Sequence, residues 1–245
     1  MQASFAIMDA QGRIKPGGPF EQDAREMKEQ NICDVYLYHN DDDMVVRDFT
    51  RNGTFEPQSL ALWEQLTKER DDQVFLDIGS YTGLYTLIAW KNGNVCYAFE
   101  PNPHVHERLC LNLERNHVKS AQCAYEMAVS SVSGEVPIYR KAMSMTSAAS
   151  LVNPNQSNVT EHGTVRCITI DEMVIPFNRV AGIKIDVENH EREVLLGGVK
   201  TLTQYKPTLI VECLDDKTDF IRYVMDLIGY KNHAIMDNRN VCFWD

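Results

Sequence analysis

Apolar and polar positions change period several times along these 245 residues, and the changes outline a fold. Short apolar runs at 74–78, 94–99, 122–128, 180–187 and 208–213 have strand length. Segments at 83–91, 103–117, 189–197 and 216–228 follow them, with apolar residues at helical spacing. Strands alternating with helices imply a largely parallel sheet covered by helices on both faces. Two last runs, 230–236 and 241–244, flank Asp237, Asn238 and Asn240 and read as a hairpin that adds an antiparallel edge strand. The expected class is α/β, doubly wound around a seven-stranded, mostly parallel sheet. A β-rich insertion is expected at 135–139 and 164–170.

Upstream of 55 the pattern is weaker. Residues 12–19 (GRIKPGGP) read as loop and 21–30 as a short polar helix. Runs at 33–38 and 44–49, separated by the acidic turn 40–43, make a candidate hairpin. After Pro57, Leu60, Leu62, Trp63 and Leu66 give an amphipathic helix over 59–68. Residues 1–54 are therefore read as an extension packed on a core domain spanning 55–245.

The chemistry concentrates at strand ends. VFLDIGSYTGLYTLIAW (74–90) places Asp77 at the end of a strand, Gly79 and Gly83 in the loop, and a helix after it. Glycine permits positive φ and close backbone approach, and the helix start presents free N–H groups and a positive dipole end. NVCYAFEPN (94–102) ends a second strand in Glu100, followed by Pro101. Glu100 lies at about the distance from the first strand expected of a carboxylate that binds ribose hydroxyls. The loop reads D-x-G-x-x-x-G, without the close glycine pair of a pyrophosphate-binding fingerprint. The pattern favours S-adenosylmethionine over a dinucleotide and argues against an NAD-dependent oxidoreductase.

A second constellation is AGIKIDVENHEREVLLGG (181–198). Along this strand Ile183, Ile185 and Val187 share one face, and Lys184, Asp186 and Glu188 the other. Charges on a central strand are costly to bury unpaired. They either face a cleft or serve as a helix cap and a lysine partner. Asp77, Glu100, Asp186 and Glu212 all fall at strand carboxyl ends, where the cleft of a doubly wound sheet opens. His190 follows in the first turn of the next helix.

Composition narrows the classes. A net charge of −11 argues against a nucleic-acid partner. No apolar run reaches bilayer length and no leader pattern is visible, so a cytoplasmic protein without a membrane partner is expected. The seven cysteines are scattered without a C-x-x-C pair, indicating neither a disulfide framework nor a zinc site. Oligomeric state is not legible.

DIGSYTG, AFEPNP, AVSSVSGEVPIY, TIDEM, KIDVENHEREVLLG and IVE, in that order, resemble the blocks of the FkbM family of S-adenosylmethionine-dependent methyltransferases. The resemblance runs from about 55 to 213. Ser80 and Tyr81 stand where the family has Ala-Asn, and Asn189 where it has glycine. The resemblance implies a Rossmann-like methyltransferase fold and methylation of hydroxyls on sugars and natural products. It implies that Asp77, Gly79, Ser80, Tyr81 and Gly83 hold the methionine portion. Glu100 and Pro101 hold the ribose, Glu126, Met127 and Ala128 frame the adenine, and Asp186 borders the cofactor. Asp186, Glu188 and His190 are the candidates on the acceptor side, and the loop 144–150 (SMTSAAS) is a candidate lining for a sugar or glycan acceptor. Two alternatives stay open. One is a Mg²⁺-dependent enzyme for vicinal diols with Asp186 and Glu212 as ligands. The other is a cofactor-binding module without catalysis.

Overall fold

The computed structural model describes residues 27–41, 43–69, 72–141, 151, 159–174, 180–214 and 216–245. The loops 12–19 and 144–150 lie outside the described residues.

The described residues begin with an antiparallel hairpin, β1 (Lys28–Ile32) and β2 (Val35–His39). Its two turn residues, Cys33 and Asp34, both take positive φ, 53° and 62°, as the twist of a tight hairpin requires. The helix expected at 21–30 falls mostly outside the described residues, and positions 28–30 belong to β1. The strand expected at 44–49 is instead a helix, α1 (Met44–Asn52). Asp43 caps it by accepting from the Val46 amide at 3.0 Å, and Gly53 ends it at φ 72°. Val45, Val46 and Phe49 join the core at helical spacing, which so short a run does not separate from a strand.

In α2 (Pro57–Lys68) the first helical position is Pro57, which lacks the N–H that would go unpaired there. The cap comes from far along the chain. The Asp237 carboxylate accepts from the amides of Gln58 at 2.9 Å and Ser59 at 2.7 Å.

The main sheet contains β3 (Val74–Ile78), β4 (Val95–Phe99), β5 (Ala124–Tyr125), β9 (Val180–Ile185), β10 (Thr208–Glu212), β11 (Asn232–Met236) and β12 (Asn240–Trp244). Their order is β11-β12-β10-β9-β3-β4-β5. Pairs from β10 to β5 are parallel, while β12 runs antiparallel to both β10 and β11. The antiparallel strand therefore sits one place inside the edge rather than at it. Leu76, Ile78, Ile183, Ile185 and Val211 pack on one face with α8 (Lys217–Ile228), as Phe220 and Val224 show. Phe75, Ala98 and Ile210 pack on the other with Trp63, Ile88, Leu109, and Leu37 of the hairpin. Helices α3 (Leu84–Lys91) and α4 (Pro103–Arg115) cover that second face.

The run 122–128 is not one strand. Only Ala124–Tyr125 pairs with β4. The chain then leaves the sheet, and β6 (Ala128–Val129) pairs with β8 (Val159–Ile168) in a small sheet of order β6-β8-β7, where β7 is Gly134–Lys141. Three short helices, α5 (Ile170–Val174), α6 (Glu191–Leu196) and α7 (Val199–Tyr205), complete the described α-helices. All seven cysteines are free. Among the described residues, no helix is long and apolar enough to cross a membrane.

Candidate active site at the strand carboxyl ends

A cleft opens where β3, β4 and β9 end, the position that strand-order reversal creates in this topology. Asp77, the second-last residue of β3, is 2% exposed. Its Oδ2 accepts from the Thr86 amide at 3.0 Å and the Thr86 hydroxyl at 2.6 Å, so one oxygen is committed to α3. The two loop glycines have steric reasons. Gly79 has φ 78°, and a Cβ there would lie 1.8 Å from the Asp186 carbonyl oxygen. Gly83 has φ 92°, and its Cβ would lie 2.5 Å from Leu109 Cδ1. Both turns need a residue without a side chain.

Between them, Tyr81 takes φ 49°, a left-handed conformation that Asn adopts more readily. Its amide donates to Glu100 Oε2 at 3.1 Å, and the Asn102 amide donates to Oε1 at 2.8 Å. Burial nevertheless pushes the Glu100 carboxyl up to about 8, against these two hydrogen bonds. Ser80 Oγ, Thr82 Oγ1 and Asn102 Nδ2 are buried and have no partner among the described residues. Buried polar atoms are rarely left so. All three residues border the cleft, and they fit a polar ligand such as an amino-acid portion and a ribose. Pro101, Phe99, Met127 and Ala128 add a mostly apolar wall beside them, suited to a nucleobase. Glu126 is exposed and turned toward His106, 3.9 Å away, so it does not join that wall.

The other end of the cleft is built from β9. Register pairs Lys184 with Asp77 on one sheet face. Lys184 is 2% exposed. Its Nζ donates to Asp186 Oδ2 and to Asn240 Oδ1, each at 3.1 Å. Glu56 Oε2 lies 3.7 Å away. Burial alone would depress its pKa, but the Asp186 and Glu56 carboxylates outweigh it and hold the ammonium protonated. Asp186 and Glu188 border the cleft. Glu188 and Asn189 form a left-handed turn at φ 55° and 73°, closed by Glu191, whose Oε1 accepts from the Val187 and Asn189 amides at 3.2 and 3.3 Å. Asn189 thus supplies the conformation that glycine gives in the resembled motif.

Glu212 is buried behind them, and the Arg239 guanidinium binds its Oε1. Asp186, Glu188 and Glu212 each offer an oxygen within 4.8 Å of the others. His190 does not reach the cleft. Its Nε2 lies 2.9 Å from Ser130 Oγ and its Nδ1 3.8 Å from Glu193. The sequence reading missed Glu56, Tyr85, Asn240, Arg239 and the α1 residues Met44, Val45 and Arg47, several of which wall the cleft. Tyr85 follows the glycine loop on α3; the others lie outside the strand-end motifs, and long-range packing brings them there.

Residues 77–237 match the family described as the methyltransferase FkbM domain. The chain belongs to this family. A relative, the hexuronic acid methyltransferase AglP of Haloferax volcanii, is 33% identical over 142 residues, 56% of this chain and 54% of its own length. The chain thus spans about half the length of that curated relative. The structure of methyltransferase FkbM from Methylobacillus flagellatus aligns with TM-score 0.50 and 17% identity over 71% of this chain and 43% of its own. The Pyrococcus abyssi tRNA (uracil-54, C5)-methyltransferase in complex with S-adenosyl-L-homocysteine aligns with TM-score 0.52 and 14% identity, over 89% and 44% respectively. At these identities the two structures establish the fold.

The FkbM-type cleft carries a stability consequence. Burial raises Glu100 and Glu212 to about 8 and Glu191 to about 7, all from 4.5. An acid whose folded pKa is raised binds its proton more readily in the folded chain. The stability it contributes is full below the unfolded pKa and is lost as pH rises through the folded one. His106 and His190, lowered by burial, act oppositely but only below about 6.5. Melting temperature of the ligand-free protein should therefore fall between about pH 6.5 and 8.5. A melting temperature that rises over that interval, followed by scanning fluorimetry, would contradict these assignments.

Proposed function

We propose that this chain is an S-adenosylmethionine-dependent methyltransferase that methylates a hydroxyl of a sugar or similar polyhydroxylated acceptor. The observation that carries the reading is the convergence in one cleft of Asp77, Glu100 and Asp186 with the Ser80 and Thr82 hydroxyls, which have no partner among the described residues. The FkbM membership and the hexuronic acid methyltransferase relative support it.

The cofactor, when bound, supplies an electrophilic methyl group on a sulfonium. Glu100 is the acceptor for ribose hydroxyls, with Pro101 beside it. The Gly79–Gly83 loop, with Asp77, Ser80, Tyr81 and Thr82, takes the amino-acid portion. Phe99, Met127 and Ala128 flank the adenine. Asp186 and Glu188 accept hydrogen bonds from the sugar hydroxyls, and Asp186 takes the proton of the one that reacts. Catalysis then depends on alignment and on a positioned base. Residues 55–245 form the catalytic domain in this reading. From the extension 1–54, Met44, Val45 and Arg47 of α1 close one side of the cleft.

A second reading adds Mg²⁺ on Asp186, Glu188 and Glu212, favoured by their 4.8 Å grouping. It ranks lower because the Arg239 guanidinium already binds Glu212 Oε1. The test is transfer of labelled methyl to methyl β-glucuronide and methyl β-glucoside, before and after exhaustive chelation. Label is expected in a glycoside product, and it should survive chelation. Activity lost to EDTA and restored by Mg²⁺ would install the metal reading. Tight binding of S-adenosylhomocysteine without transfer to any hydroxylated acceptor would identify a non-catalytic module.

A further inference from the structure

We propose that Glu56, in the turn that enters α2, is a positioning residue for the reaction: together with Tyr85 it holds Lys184, and through Lys184 it fixes the Asp186 carboxylate. The proposal rests on the acceptor-side role given to Asp186 above.

Glu56 stands at the position where a side chain ordinarily caps the helix that follows, yet it makes no cap bond. Asp237 does that work from the terminal hairpin. Glu56 instead takes φ 40°, in the left-handed region, directly before Pro57. Such a conformation is costly for a non-glycine residue and persists only where its surroundings enforce it. It turns the carboxylate inward, where Glu56 is 9% exposed. The Tyr85 hydroxyl donates to Glu56 Oε2 at 2.7 Å, and Lys184 Nζ lies 3.7 Å from the same oxygen.

Lys184 is thereby held from several sides. Its ammonium sits 5.3 Å over the Tyr85 ring, with Asn240 and Asp186 each at 3.1 Å. The Lys184 bond occupies Asp186 Oδ2, so the rotamer of that carboxylate, and the direction of its other oxygen, follow from where Lys184 is held. Glu56 lies outside the 77–237 span that matches the family. The device therefore links the segment before the family-matching span to the cleft.

The experiment is a double-mutant cycle of Glu56→Gln and Asp186→Asn, read by labelled methyl transfer, with S-adenosylhomocysteine titration and melting on the same preparations. Glutamine keeps the size and an acceptor for Tyr85 while removing the charge that holds Lys184. Glu56→Gln is expected to lower kcat about tenfold, with S-adenosylhomocysteine affinity and melting temperature near wild type. Its crystal structure should show the Lys184–Asp186 contact loosened. In the Asp186→Asn background the same change should add almost nothing, because residues acting as one unit are non-additive. Tyr85→Phe, which removes only the hydroxyl, should lower kcat in the same direction and decides the matter should Glu56→Gln not fold. Wild-type kcat in these variants, or an equal loss in both backgrounds, overturns the proposal. Wild-type turnover in Asp186→Asn alone would instead overturn the role of Asp186 on which it rests.

Discussion

Asp186→Asn is expected to lower turnover on the order of 10²–10⁴-fold, the range for removing a positioned general base, while leaving affinity for S-adenosylhomocysteine nearly unchanged. The side chain has two attachments in the structure, and the substitution separates them. It borders the cleft, and its Oδ2 accepts from Lys184 at 3.1 Å. Asparagine retains an oxygen for that bond. Lys184 also keeps Glu56 at 3.7 Å and Asn240 at 3.1 Å, so its buried charge is not orphaned. The stability loss should then stay below about 2 kcal/mol, short of the roughly 3–5 kcal/mol seen when a buried ion loses its partner. Initial rates and thermal melting on one preparation distinguish the outcomes. Normal turnover with a large loss of stability would make Asp186 a structural partner of Lys184 and nothing more.

Glu100→Ala is expected to weaken S-adenosylhomocysteine binding by about 1.5–3 kcal/mol, the worth of hydrogen bonds to a charged acceptor. That corresponds to roughly 10- to 150-fold in Kd. The carboxylate is fixed by the Tyr81 and Asn102 amides, one on each oxygen, and so is ordered before any ligand arrives. Its raised pKa adds a signature. Ribose hydroxyls favour the ionised form, so wild-type affinity should increase with pH up to about 8, and the variant should lose that increase. A folded variant with unchanged affinity and pH dependence would take the ribose away from Glu100.

Much of the core was legible because its signals are local. Strand-length apolar runs gave β3, β4, β9 and β10, and the alternation across 183–186 separated Ile183 and Ile185 from Lys184, which does lie on the face shared with Asp77 and Tyr85. The glycines at 79 and 83 were legible for the conformation they need, although the crowding at Gly79 comes from the Asp186 carbonyl, a neighbour more than a hundred residues away. What failed depended on distant partners. The run 122–128 looked continuous, but its last residue, Ala128, pairs with β8 rather than β4. The apolar residues of α1 fit a strand until the Asp43 cap is seen. His190 and Glu126 sit next to the right residues in sequence yet turn to Ser130 and His106 instead of the cleft. Glu56 carried no signal, since its role arises only when the terminal hairpin caps α2 in its place.

The most direct measurement is calorimetric titration of S-adenosylhomocysteine into the wild-type protein, Glu100→Ala and Asp186→Asn under one condition. The wild type should bind at a single site, Glu100→Ala should bind at least about tenfold more weakly, and Asp186→Asn should match the wild type. No binding to the wild-type chain, or equal weakening by both substitutions, would contradict a cleft divided into a cofactor end at Glu100 and an acceptor end at Asp186.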